Sequence, residues 1–271
     1  DFQFLSHEVF DVTNALLAID DSIAISADLL DAILIECGKF SEEVLLPLNQ
    51  TGDELGCKFE NGEVITPPGF KEAYKKFSEG GWCGLSSQRE YGGQGLPEVI
   101  QYMTDEMISS ANLSFGLYPG LTQGTILCIS KHGSKEQKEK YLSNLVSGKW
   151  QGTMCLTEAH AGSDLGLLRT QALPNEDGTY SVSGTKIFIS AGEHDMVENI
   201  IHLVLARLPN APQGTSGISM FIVPKFKINK DGSLGDRNNV SVGSIEHKMG
   251  AKASSTCVMN FDNATGWLIG L

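Results

Sequence analysis

The sequence predicts an α+β protein, with an all-α N-terminal domain over residues 1–149 followed by a compact antiparallel β-barrel or sandwich domain over residues 150–271. Three observations predict it. Before position 149, apolar residues recur every three or four places, the period of a helix with one buried face. From Trp150 onward, short runs rich in Val, Ile, Thr and Phe take over, punctuated by Gly, Pro, Asn and Asp. No helical period alternates with those runs, which argues against a parallel sheet built from strand–helix–strand units.

The elements follow in order. Asp20-Asp21-Ser22 is a polar start, after which Ile23, Ala27, Leu30, Ile33, Leu34 and Cys37 fall on one helical face. Thr66-Pro67-Pro68-Gly69 opens a second helix, with Phe70, Ala73, Tyr74 and Phe77 at i, i+3, i+4 and i+7, and Gly80-Gly81 closes it. Val99, Tyr102, Met103 and Met107 form the apolar stripe of another. Ser134-Lys135-Glu136-Gln137 reads as a capping box, whose Ser and Gln side chains satisfy amides that a helix start leaves without partners. Tyr141, Leu142, Leu145 and Val146 supply that helix with its buried face, and Gly148 ends it. The β-runs are 152–157, 180–190, 200–206, 218–223, 240–245 and 256–261, with a tight hairpin turn expected at Ser183-Gly184. Residues 227–239, rich in Asn, Asp, Gly and Lys, predict an exposed loop.

Composition excludes several function classes. Of 271 residues 41% are hydrophobic, too many for disorder, and no apolar run approaches a membrane span. The formal charge of −13 argues against nucleic-acid binding, which needs a basic face. It leaves room for a phosphate-bearing cofactor, which needs only a few local amides and cations. The six cysteines are scattered with no CxxC pair, as in a reduced cytoplasmic protein without a disulfide frame or zinc site. The opening Asp1-Phe2-Gln3-Phe4 carries no initiator Met and no basic leader, so the expectation is a trimmed start or a piece of something longer.

Two stretches could carry chemistry. In the first, running from Met154 through Leu156, Thr157, Glu158, Ala159, His160, Gly162 and Ser163 to Asp164, a β-run ends in a small-residue loop. Its amides can approach a ligand closely, with the Thr157 and Ser163 hydroxyls beside them. A plain β-turn connection explains the same composition equally well. In the second, Gly184-Thr185-Lys186-Ile187-Phe188-Ile189-Ser190, alternation puts Ile187 and Ile189 on one face and Phe188 and Ser190 on the other. A ring and a hydroxyl two residues apart can contact a flat heterocycle and bond its edge; an incidental aromatic on a half-exposed strand is the plainer account. The glycines of Glu90-Tyr91-Gly92-Gly93-Gln94-Gly95-Leu96-Pro97 do not follow the GxGxxG order of a dinucleotide loop and read as a special turn between helices. The six histidines, His7, His132, His160, His194, His202 and His247, show no metal-ligand spacing, and His202 reads as a satisfied core residue in an apolar strand. Nothing nominates a nucleophile.

Taken together, these motifs resemble the acyl-CoA dehydrogenase family. Tyr91-Gly92-Gly93-Gln94-Gly95 is similar to the family's loop after its first helices, and Leu156-Thr157-Glu158 through Gly162-Ser163-Asp164 resembles its TEPxAGSD motif. Gly184-Thr185-Lys186-Ile187-Phe188-Ile189-Ser190 resembles its GxKxWIT strand, and Lys248-Met249-Gly250 with Ser254, Ser255 and Thr256 its later K-x-G-x-x-x-S-x-T block. Phe4-Leu5-Ser6-His7-Glu8-Val9-Phe10 and Gly266-Trp267-Leu268-Ile269-Gly270 are similar to the subgroup of larger members typified by 3-methylmercaptopropionyl-CoA dehydrogenase. Ala159-His160 stands where the family has Pro-Gly, and Phe188 and Ser190 where it has Trp and Thr; Phe keeps the ring contact and Ser the hydroxyl.

The resemblance implies an FAD-dependent oxidoreductase that introduces an α,β double bond into an acyl-CoA thioester. It implies that Met154, Leu156, Thr157, Gly162, Ser163, Phe188, Ile189 and Ser190 contact FAD, that Ser163 also touches the acyl-CoA, and that no metal is involved. Residues near Leu117-Tyr118-Pro119-Gly120 and Glu90-Tyr91 would line the acyl pocket. In the family the catalytic carboxylate sits in a C-terminal helical domain, so the expectation is that none of these residues is the base, that Glu158 belongs to the flavin motif, and that this domain is missing from the chain, leaving it inactive alone. An electron-transfer flavoprotein as acceptor and a homo-oligomer complete the expectation. A flavin monooxygenase or acyl-CoA oxidase on the same scaffold, or a non-catalytic binding module, are the alternatives.

Overall fold

The computed structural model describes residues 1–20, 23 and 25–270. Its helices are α1 (Phe2–Phe4), α2 (Val12–Ile19), α3 (Ala27–Phe40), α4 (Leu46–Leu55), α5 (Phe70–Glu79), α6 (Glu98–Ala111), α7 (Leu113–His132) and α8 (Lys135–Val146), with a hairpin of β1 (Lys58–Glu60) and β2 (Glu63–Ile65) between α4 and α5. The expected faces of α5 and α8 are buried, and of that of α3 Leu30, Leu34 and Cys37 are buried, Ile33 is half-buried, Ala27 is exposed and Ile23 precedes the helix. α3 starts later than its polar leader suggests, because Ser26 caps it by accepting from the Leu29 amide at 3.2 Å; Asp21 and Ser22 lie outside the described residues. Both halves of the α8 capping box form, at 2.9 and 3.2 Å, and the Gln137 side chain also donates to the Leu268 carbonyl at 2.8 Å.

Two features of the helical half differ from expectation. Of the expected stripe of α6, Val99, Met103 and Met107 are half-buried against the core while Tyr102 is 65% exposed, and the fully buried positions are Ile100, Gln101, Thr104, Ile108 and Ala111. Polar groups replace apolar ones because they are bonded in place: Thr104 donates to the Gln101 carbonyl at 2.8 Å, and Gln101 to Asp105 at 2.9 Å. The twenty-residue α7 carries no clear helical period, since glycines and Pro119 interrupt it. Tertiary contact holds it instead. Thr122 accepts from the Gly152 amide at 3.2 Å, and a Cβ on Gly152 would lie 2.2 Å from the Thr125 hydroxyl, so the helix lies directly on the sheet.

The strands are β3 (Trp150–Cys155), β4 (Gln171–Pro174), β5 (Tyr180–Ser190), β6 (Asn199–Arg207), β7 (Ile218–Pro224), β8 (Phe226–Ile228), β9 (Leu234–Arg237), β10 (Val240–Ile245) and β11 (Thr256–Leu268). Seven form one sheet in the order β10-β11-β5-β4-β6-β3, with β7 paired to both β11 and β6. Most pairs are antiparallel, but β3 runs parallel to β6 from Trp150↔Asn199 to Cys155↔Val204, and β4 touches β6 in parallel at Gln171↔Arg207. The crossover from β3 to β6 is made by the β4–β5 pair, not by a helix, so the missing helical period did not exclude it.

Two turn expectations are corrected. Ser183-Gly184 lies inside the continuous strand β5, where Gly184 pairs with Phe261. Glycine is there for space: a Cβ would sit 2.3 Å from the Thr170 hydroxyl. Residues 227–239 are not a loop; they hold most of the β8–β9 hairpin, with the polar residues at its tip. Helices and sheet share their interiors, since Ala191, Met196 and Ala253 pack with Phe70, Phe77 and Phe115.

Candidate functional site

The loop after β3 is built on Glu158. Its side chain is 4% exposed and accepts from the Arg169 amide (2.7 Å), the Thr170 amide (3.0 Å), the Thr170 hydroxyl (2.6 Å) and the Lys186 ammonium (2.9 Å). Burial alone would raise its pKa, but the Thr170 hydroxyl, the Arg169 amide, Lys186 and the Thr170 amide outweigh it and hold the carboxyl down at about 2. Glu158 is therefore an ionised anchor, ill suited to accept a proton from substrate. Lys186, wholly buried, also donates to the Leu156 carbonyl at 3.1 Å, so one ammonium fixes β5 to both sides of the turn.

β5 is bulged beside this loop. Met259 faces Lys186 and Cys257 faces Ile189, so three steps on β5 oppose two on β11. Phe188 takes up the extra residue with φ +59°, a left-handed conformation unusual for a bulky side chain, and its side chain is 58% exposed. The bulge resets the alternation, which corrects the expected faces: Lys186 and Ile189 are buried, and Ile187 is not on the face of Ile189. The Ile187 amide donates to the Thr157 carbonyl at 2.9 Å, joining loop and strand. The Ser190 carbonyl accepts from the Thr153 hydroxyl at 2.5 Å.

The Thr157 loop and the β5 segment that carries Phe188 and Ser190 are thus joined. Gly162 sits beside Thr157, since a Cβ there would lie 3.5 Å from the Thr157 methyl, and Ser163 follows in the exposed loop. The hydroxyls of Thr157, Ser163 and Ser190 have no hydrogen-bond partner among the described residues, and Phe188 offers a bare ring. Such a surface can hold a flat heteroaromatic group with acceptors on its edge. Met154 and Leu156 are half-buried, packed against the cluster of Ala161, Leu168 and Leu205. Ile189 is 2% exposed in the sheet core, so its side chain points away from any surface ligand and only its backbone is on offer.

Sequence reasoning missed the support from α7. The buried Tyr118 hydroxyl accepts from the Ser255 amide at 2.8 Å and donates to the Ala253 carbonyl at 3.0 Å, and the Ser255 carbonyl accepts from the Ala191 amide at 2.8 Å. Helix α7 thereby reaches the end of β5 through the segment that carries Ser254, Ser255 and Thr256. Its only advance signal was the unusual Tyr118-Pro119 pair. Tyr118 and Pro119 are buried, whereas Gly120 lines, with Gln123 and Gly124, a cleft of about 490 Å³ between α6 and α7; Tyr118, Pro119, Glu90 and Tyr91 do not line it. His202 is buried as expected but not satisfied, because its Nε2 has no partner.

A helical half leading into this sheet, with an acidic anchor under a Thr/Ser loop and a bulged aromatic strand beside it, defines a two-part binding scaffold. Residues 32–149 match the acyl-CoA dehydrogenase N-terminal domain and residues 153–264 the acyl-CoA dehydrogenase middle domain. The chain belongs to the acyl-CoA dehydrogenase family. It is 51% identical over 239 residues to 3-methylmercaptopropionyl-CoA dehydrogenase of Ruegeria pomeroyi, covering 88% of this chain and 41% of that protein. It is 43% identical over 280 residues to a butyryl-CoA dehydrogenase of Syntrophomonas wolfei, covering 100% of this chain and 45% of the relative. Among solved structures, an acyl-CoA dehydrogenase complexed with FAD from Bacillus anthracis superposes with a TM-score of 0.72 at 28% identity, over 92% of this chain and 38% of that one. The butyryl-CoA dehydrogenase from Megasphaera elsdenii gives 0.73 at 25% identity, over 92% and 60%. The chain spans less than half the length of these two curated relatives. Among the described residues no helix is long and apolar enough to cross a membrane.

Proposed function

We propose that this chain supplies the flavin-binding and acyl-binding surfaces of an FAD-dependent enzyme that desaturates an acyl-CoA thioester between its α and β carbons. The observation that carries the reading is the bond from the Ile187 amide to the Thr157 carbonyl, which joins the Thr157 loop to the strand that carries Phe188 and Ser190. FAD, when bound, supplies the acceptor for the hydride that leaves the β-carbon. Phe188 offers a ring face to it, Thr157 and Ser190 offer hydroxyls to its edge, and Met154, Leu156, Gly162 and the Ile189 backbone complete the wall. Ser163 reaches both cofactor and substrate. The tail of the acyl group enters the cleft that Gly120 lines.

Removal of the α-proton needs a carboxylate that is free to accept it. The two most buried carboxylates here are spoken for, Glu158 by Lys186 and Glu193 by Lys225 and Arg237, which supports a base contributed from outside these residues. The division of labour falls at residues 149/150, helices handling the acyl tail and the sheet the flavin. An electron-transfer flavoprotein is the acceptor in this reading. In this reading the enzyme is homo-oligomeric, and it is cytoplasmic, in keeping with six cysteines all free of disulfides.

Anaerobic titration of the purified intact protein with a saturated acyl-CoA tests the reading. Bleaching of bound flavin with formation of the 2-enoyl thioester is the expected result. Absence of flavin, or flavin untouched by acyl-CoAs of every length, would overturn it. Rapid reoxidation of the reduced flavin by oxygen would reassign the protein as an oxidase or monooxygenase.

A further inference from the structure

We propose that the cleft between α6 and α7 selects an acyl tail carrying a neutral hydrogen-bond donor, a hydroxyl, and that Gln101 and Ser87 are the residues that recognise it. The inference rests on the acyl-CoA reading above and adds the chemistry of the tail.

The cleft exists because the two helices splay. Near their common corner they touch, since a Cβ on Gly116 would come within 2.7 Å of the Ser109 hydroxyl. One and two turns further along α7 they do not: a Cβ on Gly120 or Gly124 would meet nothing within 4 Å. Neither glycine has positive φ, so backbone freedom does not require them there. What they leave is room, the cleft of about 490 Å³.

The opposite wall is polar and incompletely bonded. Gln101 is 4% exposed and Ser87 7%, and both line the cleft. The Gln101 amide donates to Asp105 at 2.9 Å, which fixes its orientation: nitrogen toward the carboxylate, oxygen left over. That oxygen and the Ser87 hydroxyl have no partner. Ser87 is held by the glycine-rich stretch that fits no dinucleotide loop. The Gly95 amide donates to the Ser87 carbonyl at 2.9 Å and the Gln94 amide to the Gly84 carbonyl at 2.8 Å, while a Cβ on Gly93 would lie 2.1 Å from the Ser87 carbonyl oxygen. The tight loop thus presents one serine to the cleft.

An alkyl tail filling this space would leave the amide oxygen and the hydroxyl, both shut off from solvent, still unpaired. A tail hydroxyl repairs both, donating to Gln101 and accepting from Ser87. Glu98 and Asp105 line the cleft on the α6 side against the single ammonium of Lys131 on α7, so a carboxylate tail meets more like charge than opposite charge and is disfavoured.

The test uses the intact flavoprotein and pairs of saturated acyl-CoAs of equal length, with and without a terminal hydroxyl, over a series of lengths. Calorimetry reads affinity and flavin bleaching reads reaction. At the length where the hydroxyl reaches Gln101, the hydroxylated thioester binds about tenfold tighter than its alkyl twin. Ser87→Ala reduces that preference, and Gly124→Leu, which fills the open space, abolishes binding of the longer pair while sparing the shortest thioesters. Bleaching by alkyl thioesters with no hydroxyl preference at any length overturns the inference alone, as does a preference that survives Gly124→Leu. Failure of every thioester to bleach the flavin overturns the underlying function with it.

Discussion

Phe188 concentrates the conformational cost of the proposed flavin surface in one residue. A left-handed backbone on a bulky side chain is unfavourable by about 1–2 kcal/mol, and more than half of the ring is exposed, so folding gains little from it. Strain retained at a surface that binds something is the expected pattern of a binding residue. Phe188→Gly should therefore keep or raise the urea midpoint, because glycine accepts this φ freely, while weakening flavin retention about tenfold or more. Chemical unfolding and flavin fluorescence measure the two halves. A variant that loses stability and keeps its flavin would show Phe188 to be structural. Thr157, Ser163, Phe188 and Ser190 could be nominated from sequence because their residue types announce hydroxyls and a ring. The amide of Ile187 could not, since a backbone donor is chemically the same at every residue and only the bulge directs it. Ile189 was nominated only through the resemblance of its strand to the family motif, and the same bulge turned its side chain inward.

At the level of elements, what could be read in advance depended on how regular each one is. α5 and α8 declared themselves through unbroken spacing and a capping box, whereas α7 is held by contacts to β3 that no local pattern encodes. The glycines make the same point. Gly184 resembled a turn signal, yet it sits mid-strand because the chain that carries Thr170 passes against it. Gly184→Ala should lose about 1–3 kcal/mol of stability through overpacking against a hydroxyl that is already bonded to Glu158. Gly120→Ala, in a helix interior with open space around it, should gain about 0.5–1 kcal/mol. Equilibrium unfolding of both variants distinguishes packing from propensity; equal effects at the two sites would mean that neither close approach nor open space governs these glycines.

Across the whole molecule, the interior carries charge and neutral imidazole in an arrangement that acid should dismantle. Glu193 holds Lys225 and, at 3.1 Å, Arg237, whose other nitrogen lies 3.8 Å from Glu63, so the β1–β2 hairpin is tied to the β8–β9 hairpin through the sheet. Close to this network His194 and His202 are fully buried; burial, with Lys225 adding to it, pushes both imidazoles down to about 3. The ordinary value is 6.5, so the unfolded chain takes up these two protons at a pH where the folded protein refuses them. Stability is then fully present above about pH 6.5 and is lost as pH falls toward 3, at about 1.4 kcal/mol per pH unit for each histidine. Glu158, held at about 2 in the fold against 4.5 in the free chain, adds a third proton to the loss below pH 4.5. Urea unfolding at a series of pH values should show a slope near two protons between pH 5.5 and 4.5, steepening below. His202→Phe, which keeps a ring against Phe261 (now 6.0 Å from the imidazole), should lower that slope by about one proton without changing the stability at pH 8 by a comparable amount. A stability that stays level down to pH 4, or a slope unaffected by removing His202, would show that these imidazoles are protonated in the folded state and that the network around Glu193 tolerates their charge.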